Sequence, residues 1–194
     1  MPLPSSTRRA TLLLAALGLA GCSKSAFNGI DLTGASYAQG FELLDPEGQV
    51  RRLSDFRGKV VVVFFGYTQC PDVCPTTMGE LRAVREELGE LGEDLVTVFI
   101  SVDPERDTPE ILRDYQKAFG KGFHALSGSP EQVRQTAKEF KVVYQRVEGE
   151  SAHYTVDHTA ASFLFDRQGR VRVYSRYGTP APALKADLEA LLKG

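Results

Sequence analysis

The order of apolar and polar positions predicts alternating strands and helices from residue 41 onward. Val60 to Phe65 is a continuous run of β-branched and aromatic residues, which is typical of a strand buried on both faces of a sheet. Leu95 to Val102 is a second such run. Between them, apolar residues recur every three or four positions and indicate a helix packed on the sheet. These residues are Leu81, Val84, Leu88 and Leu91.

Turn and capping residues delimit the remaining elements. Thr108 and Ser129 each precede a proline, an arrangement that caps a helix and tolerates proline in the first turn. Asp166 to Gly169 separates two alternating segments, as in a hairpin. The predicted elements are a hairpin over 41–51, a helix over 108–119, a strand over 124–126, a helix over 129–140, a hairpin over 161–174 and a helix over 182–192.

This order of elements predicts an α/β fold of thioredoxin-like plan. A central mixed β-sheet would be flanked by helices, with a β-hairpin at its N-terminal side. The pattern contains no internal repeat and no second domain, so residues 41–194 are expected to form one thioredoxin-like domain. A fold of this kind does not by itself define a function.

The first 40 residues differ from the rest and are interpreted separately. Arg8 and Arg9 precede a short apolar run that ends in Leu19-Ala20-Gly21-Cys22, so residues 1–21 are expected to be a secretory signal peptide. The last four residues resemble a bacterial lipobox, in which Cys22 would carry a lipid anchor. An uncleaved N-terminal anchor or a soluble secreted form is the alternative. Residues 22–40 are small and polar and predict a tether.

Composition excludes some partners and indicates a compartment. The chain has 194 residues, a net charge of −2 and basic residues scattered among acids, so nucleic acid is not an expected partner. A lipidated Cys22 places the domain in the bacterial cell envelope, anchored to a membrane and facing the periplasm. That compartment is oxidising, which favours disulfide formation between nearby thiols.

Cys70 and Cys74 are the most informative residues of the chain, because they are the only thiols beyond Cys22. Thiols four residues apart, directly after a buried strand, can close as a disulfide or bind one soft metal ion. Thiolates favour Cu(I), with Zn(II) as the competitor. A purely stabilising disulfide is the third interpretation, although so short a loop gains little from a cross-link.

A third ligand would have to come from elsewhere, and the chain has three histidines. His158 follows Asp157 and precedes the predicted strand at residue 161, so a loop at the sheet edge could bring it to the thiols. A neutral imidazole would complete a site with two sulfurs and one nitrogen, its tautomer fixed by Asp157 or a backbone carbonyl. His153 is a weaker candidate, and His124 is expected to be structural.

Three segments of the chain are distinctive, namely FRGKVVVVFFGYTQCPDVCPTTM, ISVDPERDTPE and VDHTAASFLFDRQGRV. Together they resemble the Sco/SenC family of copper-binding proteins involved in cytochrome c oxidase assembly. The similarity extends over most of the chain from about Phe41 to Leu192, and its motifs agree in type, order and spacing. Asp103, within the second segment, is typical of the family and is expected to hold loop geometry and not metal.

The resemblance implies a function and a set of ligands. Cys70, Cys74 and His158 would bind copper, as Cu(I) or Cu(II), for delivery to the binuclear site in the copper-site subunit of cytochrome c oxidase. Another periplasmic copper chaperone is a candidate donor. The alternative is an enzyme, a thiol–disulfide oxidoreductase that keeps the cysteines of that site reduced. The lipobox-like start differs from family members anchored by a transmembrane helix.

Overall fold

The structure, a computed structural model, describes residues 27–148 and 154–194, which form ten strands and four α-helices. In chain order the strands are β1 (Ile30–Asp31), β2 (Glu42–Leu44), β3 (Val50–Arg52), β4 (Val60–Gly66), β5 (Leu95–Ser101), β6 (Phe123–Leu126), β7 (Tyr144–Glu148), β8 (Tyr154–His158), β9 (Ala161–Phe165) and β10 (Val171–Arg176). The helices are α1 (Val73–Glu87), α2 (Pro109–Phe119), α3 (Pro130–Glu139) and α4 (Ala181–Lys193).

Six strands form the central sheet in the order β1-β10-β9-β4-β5-β6. Strands β4, β5 and β6 are parallel, in a register that pairs Val63 with Val98. Strand β9 runs antiparallel to β4, and β10 runs antiparallel to β9. The predicted α/β plan with a mixed sheet is therefore confirmed, including the β9–β10 hairpin.

The two faces of the sheet carry separate hydrophobic clusters, because successive residues of a strand point to opposite faces. On β4, Val60, Val62 and Phe64 belong to the cluster that includes α1, α2 and α4. Val61, Val63 and Phe65 belong to the cluster that includes α3. All seven residues of β4 are buried, as the unbroken apolar run predicts.

Two of the helices begin at the capping residues that were predicted from the sequence. Thr108 Oγ1 accepts a hydrogen bond from the backbone N–H of Ile111, and Ser129 Oγ accepts one from Gln132. Helix α1 begins earlier than the apolar periodicity suggests, at Val73. The first turn of this helix therefore contains the second cysteine of the pair.

Two hairpins lie outside the central sheet. Strands β2 and β3 form the N-terminal hairpin predicted from the sequence. Strands β7 and β8 form a second two-stranded sheet, which pairs Tyr144 with His158. The prediction that His158 lies in a loop is wrong, because His158 is the last residue of β8.

The prediction that residues 22–40 form a tether is wrong for residues 27–40, the part of this segment that the structure describes. Ile30 pairs with Tyr174 of the central sheet, and Ala38 is fully buried. The Asp187 carboxylate accepts hydrogen bonds from the backbone N–H groups of Asn28 and Gly29. The packed chain therefore begins well before Phe41, because small and polar residues here still supply apolar contacts and backbone hydrogen bonds.

Two expectations fall on residues outside the described ranges. The signal peptide over residues 1–21 and the lipidation site at Cys22 lie there, as does the weaker ligand candidate His153. Among the residues that are described, no helix combines the length and apolar character needed to cross a bilayer.

Candidate metal centre

The two thiols follow the C-terminal end of β4, one before and one just after the start of α1. Cys70 is in the connecting loop and half-buried, whereas Cys74 is in the first turn of α1 and fully buried. The backbone N–H of Cys74 points at Cys70 Sγ at 3.5 Å. Both cysteines are free thiols, so the pair is available either to close on itself or to bind a metal ion.

The space for the Cys74 sulfur exists because residue 66 is a glycine. A Cβ atom at Gly66 would lie 2.7 Å from Cys74 Sγ, 2.8 Å from Phe99 and 3.0 Å from Phe64. Such distances are well inside van der Waals contact, and the two rings are fully buried. Gly66 therefore lets the sulfur pack directly against the end of the central strand.

His158 brings an imidazole to the buried thiol. Its Nε2 lies 3.5 Å from Cys74 Sγ, and its Nδ1 lies 2.9 Å from the carbonyl oxygen of Val156. Because a carbonyl oxygen can only accept, this contact puts the proton of the neutral ring on Nδ1. Nε2 is then left with a free lone pair that faces the thiol.

Two aromatic rings fix the plane of that imidazole. Phe64 and Tyr67 contact His158 edge to face, with centroids 6.2 and 5.8 Å from the imidazole centroid. Both rings are buried. The imidazole is therefore oriented by packing on two sides and by the carbonyl of Val156, without the help of Asp157.

The donor set suits a soft metal ion. Bonds to sulfur and nitrogen of about 2.3 and 2.0 Å separate two donors on one ion by roughly 3.5–3.8 Å, close to the observed distance of Cys74 Sγ from His158 Nε2. Within residues 27–148 and 154–194, no three His, Cys, Asp or Glu side chains are already gathered as a complete metal site. Two donors are thus in place, and Cys70 lies next to them.

Electrostatics at the site favour the protonated thiol in the absence of a cation. Burial raises the pKa of the Cys74 thiol, and the neighbouring Cys70 and Asp107 raise it further. A hydrogen bond from the backbone of Tyr67 acts in the opposite direction and is outweighed. Cys74 is therefore a weak nucleophile by itself, because the thiolate is the reactive form.

The site opens onto a depression of about 290 Å³. Residues 70–73 line one side of it and residues 155–158 line the other. Asp72 lies exposed at this rim, and its carboxylate makes no capping hydrogen bond to the backbone of α1. Cys70 and His158 therefore both line an open depression at the surface.

Several residues near the site were not identified from the sequence. These residues are Tyr67, Phe64 and Arg106. The sequence around an aromatic residue or an arginine does not show which distant residue its side chain contacts. Asp103 is buried and accepts hydrogen bonds from Tyr154 and Arg106, in agreement with its expected role in loop geometry.

His124 lies on β6, away from the thiols. Its ring packs edge to face against Phe56 at 5.0 Å between centroids, as the structural role expected from the sequence requires. Burial lowers the pKa of this imidazole, and the nearby Arg51 lowers it further.

Comparison with known proteins gives a consistent assignment. The family model SCO1/SenC matches residues 31–193. A SCO2-like protein of Rickettsia prowazekii is 39% identical over 132 residues, which are 67% of this chain and 64% of that protein. The match thus spans less than two thirds of the length of this curated relative.

Solved structures agree with the family model. Apo Sco1 from Thermus thermophilus is 42% identical, with a TM-score of 0.75 over 87% of this chain and 99% of that one. ScoI of Bradyrhizobium japonicum with copper bound is 36% identical, with a TM-score of 0.71 over 78% and 97%. The thioredoxin-like fold is thereby confirmed. The chain belongs to the SCO1/SenC family.

Proposed function

We propose that this protein is a copper metallochaperone. It binds one copper ion through Cys70, Cys74 and His158 and delivers it to the binuclear copper site of cytochrome c oxidase. The observation that carries the proposal is the approach of His158 Nε2 to Cys74 Sγ at 3.5 Å. The lone pair of that nitrogen faces a thiol, which is an arrangement that a bound cation would stabilise.

The chemistry of the donors supports copper as the cargo. Two thiolates and one imidazole suit Cu(I), and the nitrogen also stabilises Cu(II). The relative from Bradyrhizobium japonicum carries copper in its structure. Zinc is the competitor for the same donors. Selection between the two metals would depend on the compartment and on the protein that donates copper. We propose another periplasmic chaperone as that donor.

Binding requires a small movement of one side chain. Cys74 and His158 are already at ligand distance from each other, whereas Cys70 is half-buried on a loop. Cys70 Sγ already lies 3.5 Å from the backbone N of Cys74, so a side-chain adjustment of Cys70 would complete the set of three donors. The cation would then stabilise both thiolates and offset the burial that keeps Cys74 protonated.

Release to a partner fits the open side of the site. A three-coordinate ion leaves room for an incoming thiol, so a new bond can form before an old one breaks. Cys70 is the more exposed thiol and lines the depression with His158, and it is the ligand a partner would replace first. The partner we infer from family membership is the copper-site subunit of cytochrome c oxidase.

The second candidate function is thiol–disulfide exchange on the cysteines of that subunit. One observation favours it, namely a half-exposed thiol beside a buried one, an arrangement in which Cys70 can attack a substrate disulfide and Cys74 can resolve the product. The raised pKa of Cys74 opposes it. An exchange enzyme of this kind has no need of the His158 imidazole.

His158→Ala separates the two functions. We expect the variant to lose most of its copper affinity while its reduced thiols still exchange with a model disulfide. His124→Ala is the matched control, because it removes another partly buried imidazole that does not contact either thiol. Unchanged copper affinity in His158→Ala would refute the ligand assignment and leave the exchange function as the better proposal.

Anchoring is proposed on the sequence alone. Arg8, Arg9 and the apolar run before Cys22 support a lipoprotein signal, with the domain held at the membrane and facing the periplasm. Cys22→Ser should move the protein from the membrane fraction to the soluble fraction of the envelope. Retention of Cys22→Ser in the membrane would show that the N-terminal segment itself is the anchor.

A further inference from the structure

The proposed ligands belong to two separate parts of the fold. The thiols follow β4 of the central sheet, whereas His158 ends the β7–β8 hairpin, a two-stranded sheet of its own. β8 continues through Thr159 and Ala160 into β9 of the central sheet, which holds the His158 end of the strand, but no ladder pairs β8 itself with β4. The distance between the imidazole and the sulfurs therefore also depends on the contacts that hold the hairpin against the cysteine loop.

Arg106 makes such contacts to both parts. Its Nη1 donates to the carbonyl oxygen of Tyr154 at 2.9 Å, on the hairpin, and to Gln69 Oε1 at 3.2 Å, beside Cys70. The guanidinium carbon lies 3.6 Å from the centroid of the Tyr154 ring. One side chain therefore joins the first residue of β8 to the residue that precedes the first thiol.

Asp103 completes the connection from the same segment. Its carboxylate accepts hydrogen bonds from the Tyr154 hydroxyl at 2.8 Å and from Arg106 Nε. The carboxylate is buried, with 5% of its side chain exposed. Charge-assisted hydrogen bonds of this kind are roughly twice as strong as neutral ones, so the Tyr154 end of β8 is firmly held.

The segment that carries Arg106 is itself fixed to the cysteine loop. Asp107 accepts hydrogen bonds from the backbone N–H and the hydroxyl of Thr68, at 3.1 and 2.5 Å, and from Ser101 Oγ at 2.6 Å. Asp107 is 2% exposed. A shift of residues 103–107 would therefore move the cysteine loop and the hairpin together.

The geometry of β8 carries this restraint to the imidazole. Tyr154, Val156 and His158 lie at i, i+2 and i+4, so they share one face of the strand. Exposure alternates along it, with Thr155 and Asp157 exposed and Val156 buried. Holding Tyr154 in place thus sets the rotation of the strand about its axis. That rotation in turn sets the direction in which His158 points, roughly 13 Å further along the strand.

We propose that Arg106 is a positioning residue for the metal centre. By joining Tyr154 to Gln69, it sets the approach of His158 to Cys74 and keeps the three donors within reach of one ion. This inference rests on the proposed copper function of the same residues. Arg106 itself would not be a ligand of the metal.

The test compares Arg106→Gln with Arg146→Gln in the full chain. Arg146 contacts the same Tyr154 ring at 3.6 Å and pairs with Glu105 and Glu148. Both ion pairs are exposed, where such pairs contribute little, and neither involves Gln69 or the cysteines. Arg106→Gln should weaken copper binding about 10- to 100-fold, the usual loss when a group that orients a ligand is removed. Arg146→Gln should stay within about threefold of the wild type, since it leaves that orientation intact.

A spectroscopic readout separates positioning from general destabilisation. With Cu(II) bound, Arg106→Gln should show an electron paramagnetic resonance spectrum with the nitrogen coupling weakened, shifted toward that of His158→Ala. A wild-type spectrum together with wild-type affinity in Arg106→Gln would overturn the inference and leave the copper function standing. A wild-type protein that retains no copper would refute the proposed function itself.

A milder variant keeps the inference testable if Arg106→Gln fails to fold. Gln69 is exposed, so Gln69→Ala removes only the end of the connection that reaches the cysteine loop. We expect a loss of copper affinity of at least about threefold, in the same direction as for Arg106→Gln. Unchanged affinity and an unchanged spectrum in Gln69→Ala would then overturn the inference.

Discussion

Gly66→Ala tests how the fold makes room for the buried thiol. The added Cβ would lie 2.7 Å from Cys74 Sγ and 2.8 Å from Phe99. The backbone of Gly66 is outside the left-handed region, so alanine causes no backbone strain and the effect comes from contacts alone. Overpacking of a core costs about 1–3 kcal/mol. We expect a loss of stability in that range, together with weaker copper binding because the sulfur must move.

The assay is urea denaturation of the reduced apoprotein, followed by competition for Cu(I) against a chelator. Gly79→Ala is the matched control. Gly79 lies in the middle of α1, and a Cβ added there would meet no atom within 4 Å. Alanine at a helix interior stabilises by about 0.5–1 kcal/mol relative to glycine, so the two variants should shift stability in opposite directions. Wild-type stability and wild-type copper affinity in Gly66→Ala would refute the packing argument.

Two further predictions concern parts of the fold away from the thiols. Ser129→Ala removes the side chain that caps α3 and pairs with Gln132, and calorimetry should show a loss of about 1 kcal/mol with copper affinity unchanged. Burial would raise the pKa of Asp166, but hydrogen bonds from Arg170 and Arg172 outweigh it and lower that pKa. The stability that Asp166 contributes is therefore complete above the ordinary aspartate pKa of about 3.9 and is lost as pH falls through the lowered value. Denaturation as a function of pH should show Asp166→Asn less stable than wild type at neutral pH, with a difference that vanishes in acid; a difference independent of pH would contradict this.

Periodicity predicted those parts of the fold in which local sequence and tertiary packing agree. The apolar run at Val60–Gly66 is a central strand, and the proline-preceded caps at Thr108 and Ser129 begin helices. The spacing of Cys70 and Cys74 identified the thiol pair. In each case the information lies within a few consecutive residues, so the chain itself carries the signal.

Contacts between distant segments could not be predicted in this way. The β7–β8 hairpin was missed because its strands are mostly exposed, so their alternation in apolar residues is weak. The packing of residues 27–40 was missed because small and polar residues rarely indicate a packed segment. The proposed role of Arg106 rests on its hydrogen bonds to Gln69 and Tyr154, which are 37 and 48 positions away, and no local pattern encodes such a pairing.

Copper stoichiometry of the reduced protein tests the central claim most directly. After reconstitution with Cu(I) and removal of loosely bound metal, the wild type should retain about one copper ion per monomer, the capacity of a single site with two thiols. Cys74→Ser, which removes the sulfur next to His158, should retain almost none. Equal retention of copper by the wild type and Cys74→Ser, or none by the wild type, would contradict the account.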